Sequence, residues 1–128
     1  MNAKEIQDVI HKVYPSISKD YKSDAEVLLF ANVFARLKAF PAIEEESAMA
    51  EYHWDENKIL IYTDEIRSEE DVIRSLIHEC VHSKQCYDLY IAYYEQCKVD
   101  YDTHPHEIEA EYEEENWKKY KLNTNKFG

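Results

Sequence analysis

The single glycine of this 128-residue chain is its last residue, Gly128. Without an internal glycine there is no Gly-rich loop to cradle a phosphate, which removes P-loop and Rossmann-type nucleotide binding from consideration. The length suits one domain, 1–128, with a modest core. No repeat or low-complexity linker divides it. The 45% apolar content and 13% aromatic content argue against disorder. A formal charge of −12 repels phosphate, so neither nucleic acid nor an anionic membrane is an expected partner.

The opening MNAKEIQDVI lacks the basic start and apolar centre of a signal peptide, and no apolar run reaches spanning length. Cys80, Cys86 and Cys97 are an odd count and contain no C-x-x-C pair. A cytoplasmic protein without a disulfide framework is expected.

The chain reads as an α+β domain, mostly helical, with one small β-hairpin. Ile6, Val9, Ile10 and Val13 recur at helical spacing, and Pro15 is expected to end that helix. Ser23 and Glu26 have capping-box spacing, which predicts a second helix from 23 to about 40, before Pro41. Ala48, Ala50, Tyr52 and Trp54 alternate, "DEN" makes a turn, and "KILIYTD" is rich in β-formers, so 47–63 reads as a hairpin. Ser68 followed by Asp71 caps a third helix; a tyrosine-rich stretch runs on to about 98, and Pro105 opens another helix.

The third helix carries His78-Glu79-Cys80-Val81-His82, an H-E-x-x-H pattern. On a helix the two histidines are one turn apart and project from the same face, so both can reach one ion. Zinc takes imidazole nitrogen at about 2.0–2.1 Å, and a catalytic site has three protein ligands and an open position for water. Glu79 is rotated about 100° from His78 on a 3.6-residue helix, where it can act as a base toward metal-bound water rather than as a ligand. The competing reading is a solvated helix in a Glu-rich chain.

Context favours a site. Val72, Ile73, Leu76, Ile77 and Val81 supply an apolar face to hold the helix on a core. Downstream, HPHEIEAE (104–111) begins a helix in which Glu107 can be the third ligand. Glu111, four residues on, can accept the spare ring N–H of a ligand histidine. Glu109 competes with Glu107 but points about 200° away on a helix. Ile108 and Tyr112 would then pack against the motif helix. A His2Glu donor set suits catalytic zinc, Zn2+.

These two segments resemble the gluzincin metallopeptidases, especially the minimal single-domain ones called minigluzincins. The resemblance covers roughly 68–115 and rests on His78 to His82, on Gln85 three residues later, and on Pro105-His106-Glu107-Ile108-Glu109-Ala110. It implies zinc, endopeptidase-type hydrolysis of peptide or protein substrates, and a small sheet whose edge pairs with extended substrate. Here that sheet would be the hairpin, packed on the motif helix. The chain departs from the pattern in having His104 where Asn is expected, and it has no room for the carboxy-terminal domain of larger relatives.

Several residues keep alternatives open. Cys86 lies one turn beyond His82 and could share a metal with it. His104 and His106 could bind metal or donate a proton. Tyrosines 87, 90, 93, 94 and 101 are candidates for polarising a carbonyl. Two functions follow: a zinc peptidase, active or latent with its cleft filled by LNTNKFG, or a non-catalytic zinc-binding interaction or regulatory domain whose metal staples two helices. The base Glu79 favours the enzyme. Oligomeric state is not legible.

Overall fold

The apolar run Lys58–Tyr62 forms the central strand of the sheet, and the other elements are arranged around it. The structure, a computed structural model, describes residues 1–32, 35 and 49–122. The order is α1 (Ala3–Tyr21), β1 (Glu26–Phe30), β2 (Ala50–His53), β3 (Lys58–Tyr62), α2 (Glu69–Ser83), α3 (Tyr87–Glu95) and α4 (Pro105–Glu114). Short 3-10 segments lie at Thr63–Glu65, Tyr101–Thr103 and Glu115–Lys119. This is the expected α+β architecture, mostly helical with a small sheet.

The three strands lie in the order β1-β3-β2. β2 and β3 pair antiparallel, with Ala50 opposite Ile61 and Tyr52 opposite Ile59, so the expected hairpin is present. β1 adds to the other side of β3 in parallel, Val27 opposite Ile59 and Leu29 opposite Ile61. Flanked on both sides, β3 buries Ile59, Leu60, Ile61 and Tyr62 completely. Because side chains alternate along a strand, Ile59 and Ile61 join the main core, while Leu60 and Tyr62 pack with Leu28 and Phe30 in a second cluster.

Two helices cover the main-core side. α1 contributes Ile6, Val9, Ile10, Val13 and Ile17, and α2 contributes Val72, Ile73, Leu76, Ile77, Cys80 and Val81. Ser68 caps α2 by accepting from the Asp71 amide, as its spacing predicts. A cap not anticipated from the sequence starts α1, where Asn2 and Glu5 form a reciprocal capping box.

The helix predicted from Ser23 is not formed at its start. Residues 26–30 are strand β1 instead. A short run such as EVLLF is ambiguous between helix and strand, and here the open edge of β3 decides it. Ser23, read as a cap, hydrogen-bonds through Oγ to the Ala25 amide and to Ser83 Oγ on α2. Of the rest of that prediction, Ala31 and Asn32 form a bend and Ala35 is helical, its amide donating to Asn32 Oδ1, while 33–34 and 36–40, like Ala48 at the start of the hairpin, lie outside the described residues.

Pro15 does not end α1, which runs six residues further. Pro15 is exposed while Val13 and Ile17 are buried, so the missing amide bond falls on the solvent side. Long helices curve with that side convex and its hydrogen bonds lengthened, which is where a proline is least disruptive.

With no internal glycine, the positions of left-handed backbone among the described residues use other residues: Lys22 (φ 55°), Asn57 (φ 55°) and Lys98 (φ 59°). Asn57 tolerates this best, and its side chain also accepts from Tyr52 and donates to Asp24.

An interior proline costs a helix up to about 3 kcal/mol relative to alanine. Pro15→Ala should therefore shift the chemical-denaturation midpoint upward. A lower midpoint would show that α1 depends on the fixed φ of the proline at this position.

Candidate metal centre

The site is built where α2 and α4 pack against each other. α2 is buried without interruption from Ser75 to His82, because its apolar side faces α1 and the sheet while its histidine side is covered by α4. Cys80, inside the motif, belongs to the core side: it is fully buried, and burial pushes its thiol up to about 11. His78 and His82 point the other way, their ring centroids 4.8 Å apart.

α4 starts at Pro105, and the residue before it does the capping. Nδ1 of His104 accepts the His106 amide at 3.0 Å, and its Nε2–H donates to the Tyr90 carbonyl at 2.8 Å. His104 is fully buried and both of its nitrogens are engaged, so it is a structural residue rather than a ligand or proton donor. Capping is a role that asparagine also fills well.

This start sets the phase of α4 so that Glu107 and Ala110 are buried toward α2. Oε1 of Glu107 lies 2.9 Å from His78 Nε2 and 3.2 Å from His82 Nε2. Its other oxygen accepts the Tyr90 hydroxyl at 2.5 Å.

The outer ring nitrogens are held as well. His78 Nδ1–H donates to Glu114 Oε2 at 2.6 Å, and His82 Nδ1–H donates to Gln85 Oε1 at 2.7 Å. Gln85 in turn donates to the His106 carbonyl (3.1 Å) and to Glu109 (2.8 Å), tying the end of α2 to the start of α4. With both Nδ1 atoms committed outward, both Nε2 atoms converge inward.

Burial opposes charge on His78, but the hydrogen bonds to Glu107 and Glu114 outweigh it and raise the ring to about 10. His82 rises in the same way through Glu107. Burial alone would raise Glu107, yet bonds from His78 and His82 hold it well below the usual carboxylate range. Glu79 is buried and is shifted upward chiefly by desolvation, against the pull of both histidines. Tyr90, whose hydroxyl donates to Glu107, is pushed up by burial and by that carboxylate; Tyr101 is raised by desolvation and by Glu107 as well, although the residue is 51% exposed.

Nitrogens of His78 and His82 and an oxygen of Glu107 thus lie within 4.8 Å of one another, all three residues buried. Two imidazoles and one carboxylate in that arrangement could hold a metal ion, and the donor types fit zinc. Among the described residues this is the one such group.

Some expected participants stand elsewhere. Glu111 is exposed, and the bond assigned to it goes to Glu114. Glu114 lies seven residues from Glu107, nearly back on the same helical face, and two turns along is where an antiparallel helix meets His78. That i, i+7 spacing was the available signal. Ile108 and Tyr112 do not pack on α2: they are 50% and 73% exposed, because small Ala110 occupies the contact. Glu109 is exposed and bonded to Gln85. Cys86 is an exposed cap residue of α3, and His106 is half-buried; neither joins the ligand group.

The segment considered as a cleft plug lies outside the described residues from Asn123 onward. Just before it, the Leu122 amide donates to Glu69 at the start of α2. Among the described residues, no helix is long and apolar enough to cross a membrane.

Comparison with protein-family models, with curated proteins and with solved structures gives no match for this chain. The functional reading therefore rests on the site's own residues.

Glu107→Ala should abolish most binding of added Zn2+, whereas Glu109→Ala should leave it nearly intact, as read by metal analysis after dialysis. Binding retained in Glu107→Ala would remove the carboxylate from the ligand set.

Proposed function

We propose that this protein is a zinc-dependent peptidase of the gluzincin type, with His78, His82 and Glu107 as ligands and Glu79 as general base. The observation that carries the reading is the convergence of both Nε2 atoms on Glu107 with Glu79 buried beside them. A structural staple would need the three ligands but no fourth acidic residue next to them.

Zinc in such a site supplies Lewis acidity toward a water and a carbonyl oxygen. The chain supplies the rest. Glu79 accepts the proton of the attacking water and can return it to the leaving amine. Burial raises its proton affinity above that of a solvated carboxylate, which favours it as a proton acceptor. Gln85 and Glu114 hold the ligand rings still, so little reorganisation accompanies reaction.

Substrate would be an extended peptide. β2 is an edge strand of the described sheet, and Trp54, just beyond it, places its ring 5.7 Å from His82. The indole also donates to the Gln85 carbonyl, which locks the hairpin beside the site. An edge strand offers backbone hydrogen bonds and reads little sequence. We infer loose specificity for unfolded segments. Three free cysteines accord with a reducing cytoplasm.

Glu79→Gln keeps size and hydrogen bonding but removes the base, so hydrolysis of a disordered protein should fall by about 10²–10⁴-fold while zinc stays near one per chain. Equal rates for wild type and variant would reject the peptidase. Loss of thermal stability on chelation, with no cleavage by the zinc form, would support the staple domain instead.

Backbone N-methylation beside the scissile bond should sharply reduce cleavage of a peptide, while side-chain changes there should matter little. The opposite pattern would rule out strand addition at β2.

A further inference from the structure

The carboxylate that holds His78 is itself held. Arg74 lies one turn before His78 on α2, on the same face. Its Nη1 is 3.6 Å from Glu114 Oε1, while Oε2 of the same carboxylate accepts from His78 Nδ1 at 2.6 Å. The guanidinium is fixed from other sides too: Nε donates to Glu70 at 2.6 Å, Nη1 donates to Glu115 at 3.4 Å, and the group lies 5.9 Å from the centre of the Trp117 ring.

Resting on the metal reading above, we propose that Arg74 is a positioning residue for the metal centre, aiming Glu114 at His78 so that His78 presents Nε2 to the ion. Glu114 is the last residue of α4. A glutamate there has rotamer freedom and open solvent as an alternative, so pointing it inward has an entropic cost. Arg74 offsets that cost by placing a positive charge 3.6 Å from Glu114 Oε1, on a guanidinium already held by Glu70, Glu115 and Trp117.

An exposed helix pair such as Arg74–Glu70 contributes little to stability by itself. The contact to Glu114 differs because that side chain is 21% exposed and bonded to a histidine that is 10% exposed. Fixing His78 Nδ1–H outward sets the tautomer whose Nε2 lone pair faces inward, free to ligate an ion. The relay therefore acts on metal affinity through one ring, whereas Gln85 serves the other ring from the opposite end of the site.

The test is a double-variant cycle on the full chain. Zn2+ affinity is measured by competition with a chromophoric chelator, and Co2+ is used as a spectroscopic probe, for wild type, Arg74→Met, Glu114→Ala and the double variant. Arg74→Met should weaken Zn2+ binding about 10- to 100-fold and alter the Co2+ absorption bands. The double variant should bind no more weakly than Glu114→Ala alone. Arg74→Lys, which keeps charge but not the planar fork, should recover part of the loss.

Wild-type affinity in Arg74→Met would overturn the relay, as would losses that add in the double variant. If Arg74→Met fails to fold, Arg74→Lys carries the decision: native circular dichroism with affinity below wild type supports the relay, and wild-type affinity overturns it. A wild-type chain that binds neither ion would reject the metal centre itself, and the relay with it.

Discussion

Glu107 is buried in the interface of two helices, where two imidazoles and a phenol share its carboxylate. Desolvating a lone carboxylate costs several kcal/mol, so packing α4 on α2 is tolerable only with all those donors in place. That condition fixes the phase of α4, its antiparallel run along α2 and the inward turn of both rings. It also fixes Tyr90, and through Tyr90 the seat of α3, since the Tyr90 carbonyl receives His104 and the Tyr90 ring stacks 4.2 Å from it. The same packing brings metal-binding atoms together.

The scaffold beneath is simpler. β3 is buried on both faces and has a strand on each side, and it holds α2 through Ile59 and Ile61. α2 is thus pressed between an apolar core and a polar interface. Its sequence shows this as two faces of different chemistry within one turn: Cys80 and Val81 toward the core, His78 and His82 toward α4.

Elements were legible where local chemistry was sufficient. α2 has a side-chain cap, an apolar stripe and acidic residues in its first turn. α4 has Pro105 at its start, and the hairpin has a polar turn between alternating runs. β1 was not legible, because EVLLF suits a helix equally well and its partner lies some thirty residues downstream. Pro15 misled because a break in the hydrogen-bond ladder depends on which side of the helix faces solvent.

The sequence by itself determined the chemistry: two histidines one turn apart, an acidic neighbour, and a first-turn glutamate after Pro105. Those relations are set by helical geometry, which short-range spacing fully specifies. Only the tertiary structure decided which residues stand behind the ligands. Glu114 rather than Glu111, Gln85 on the second ring, and Ala110 rather than Ile108 at the contact all follow from how α4 is rotated against α2. The start at Pro105 and the i, i+7 spacing of Glu107 and Glu114 are local, but contacts between helices distant in sequence decide that this face of α4, and not the one bearing Glu111, meets α2.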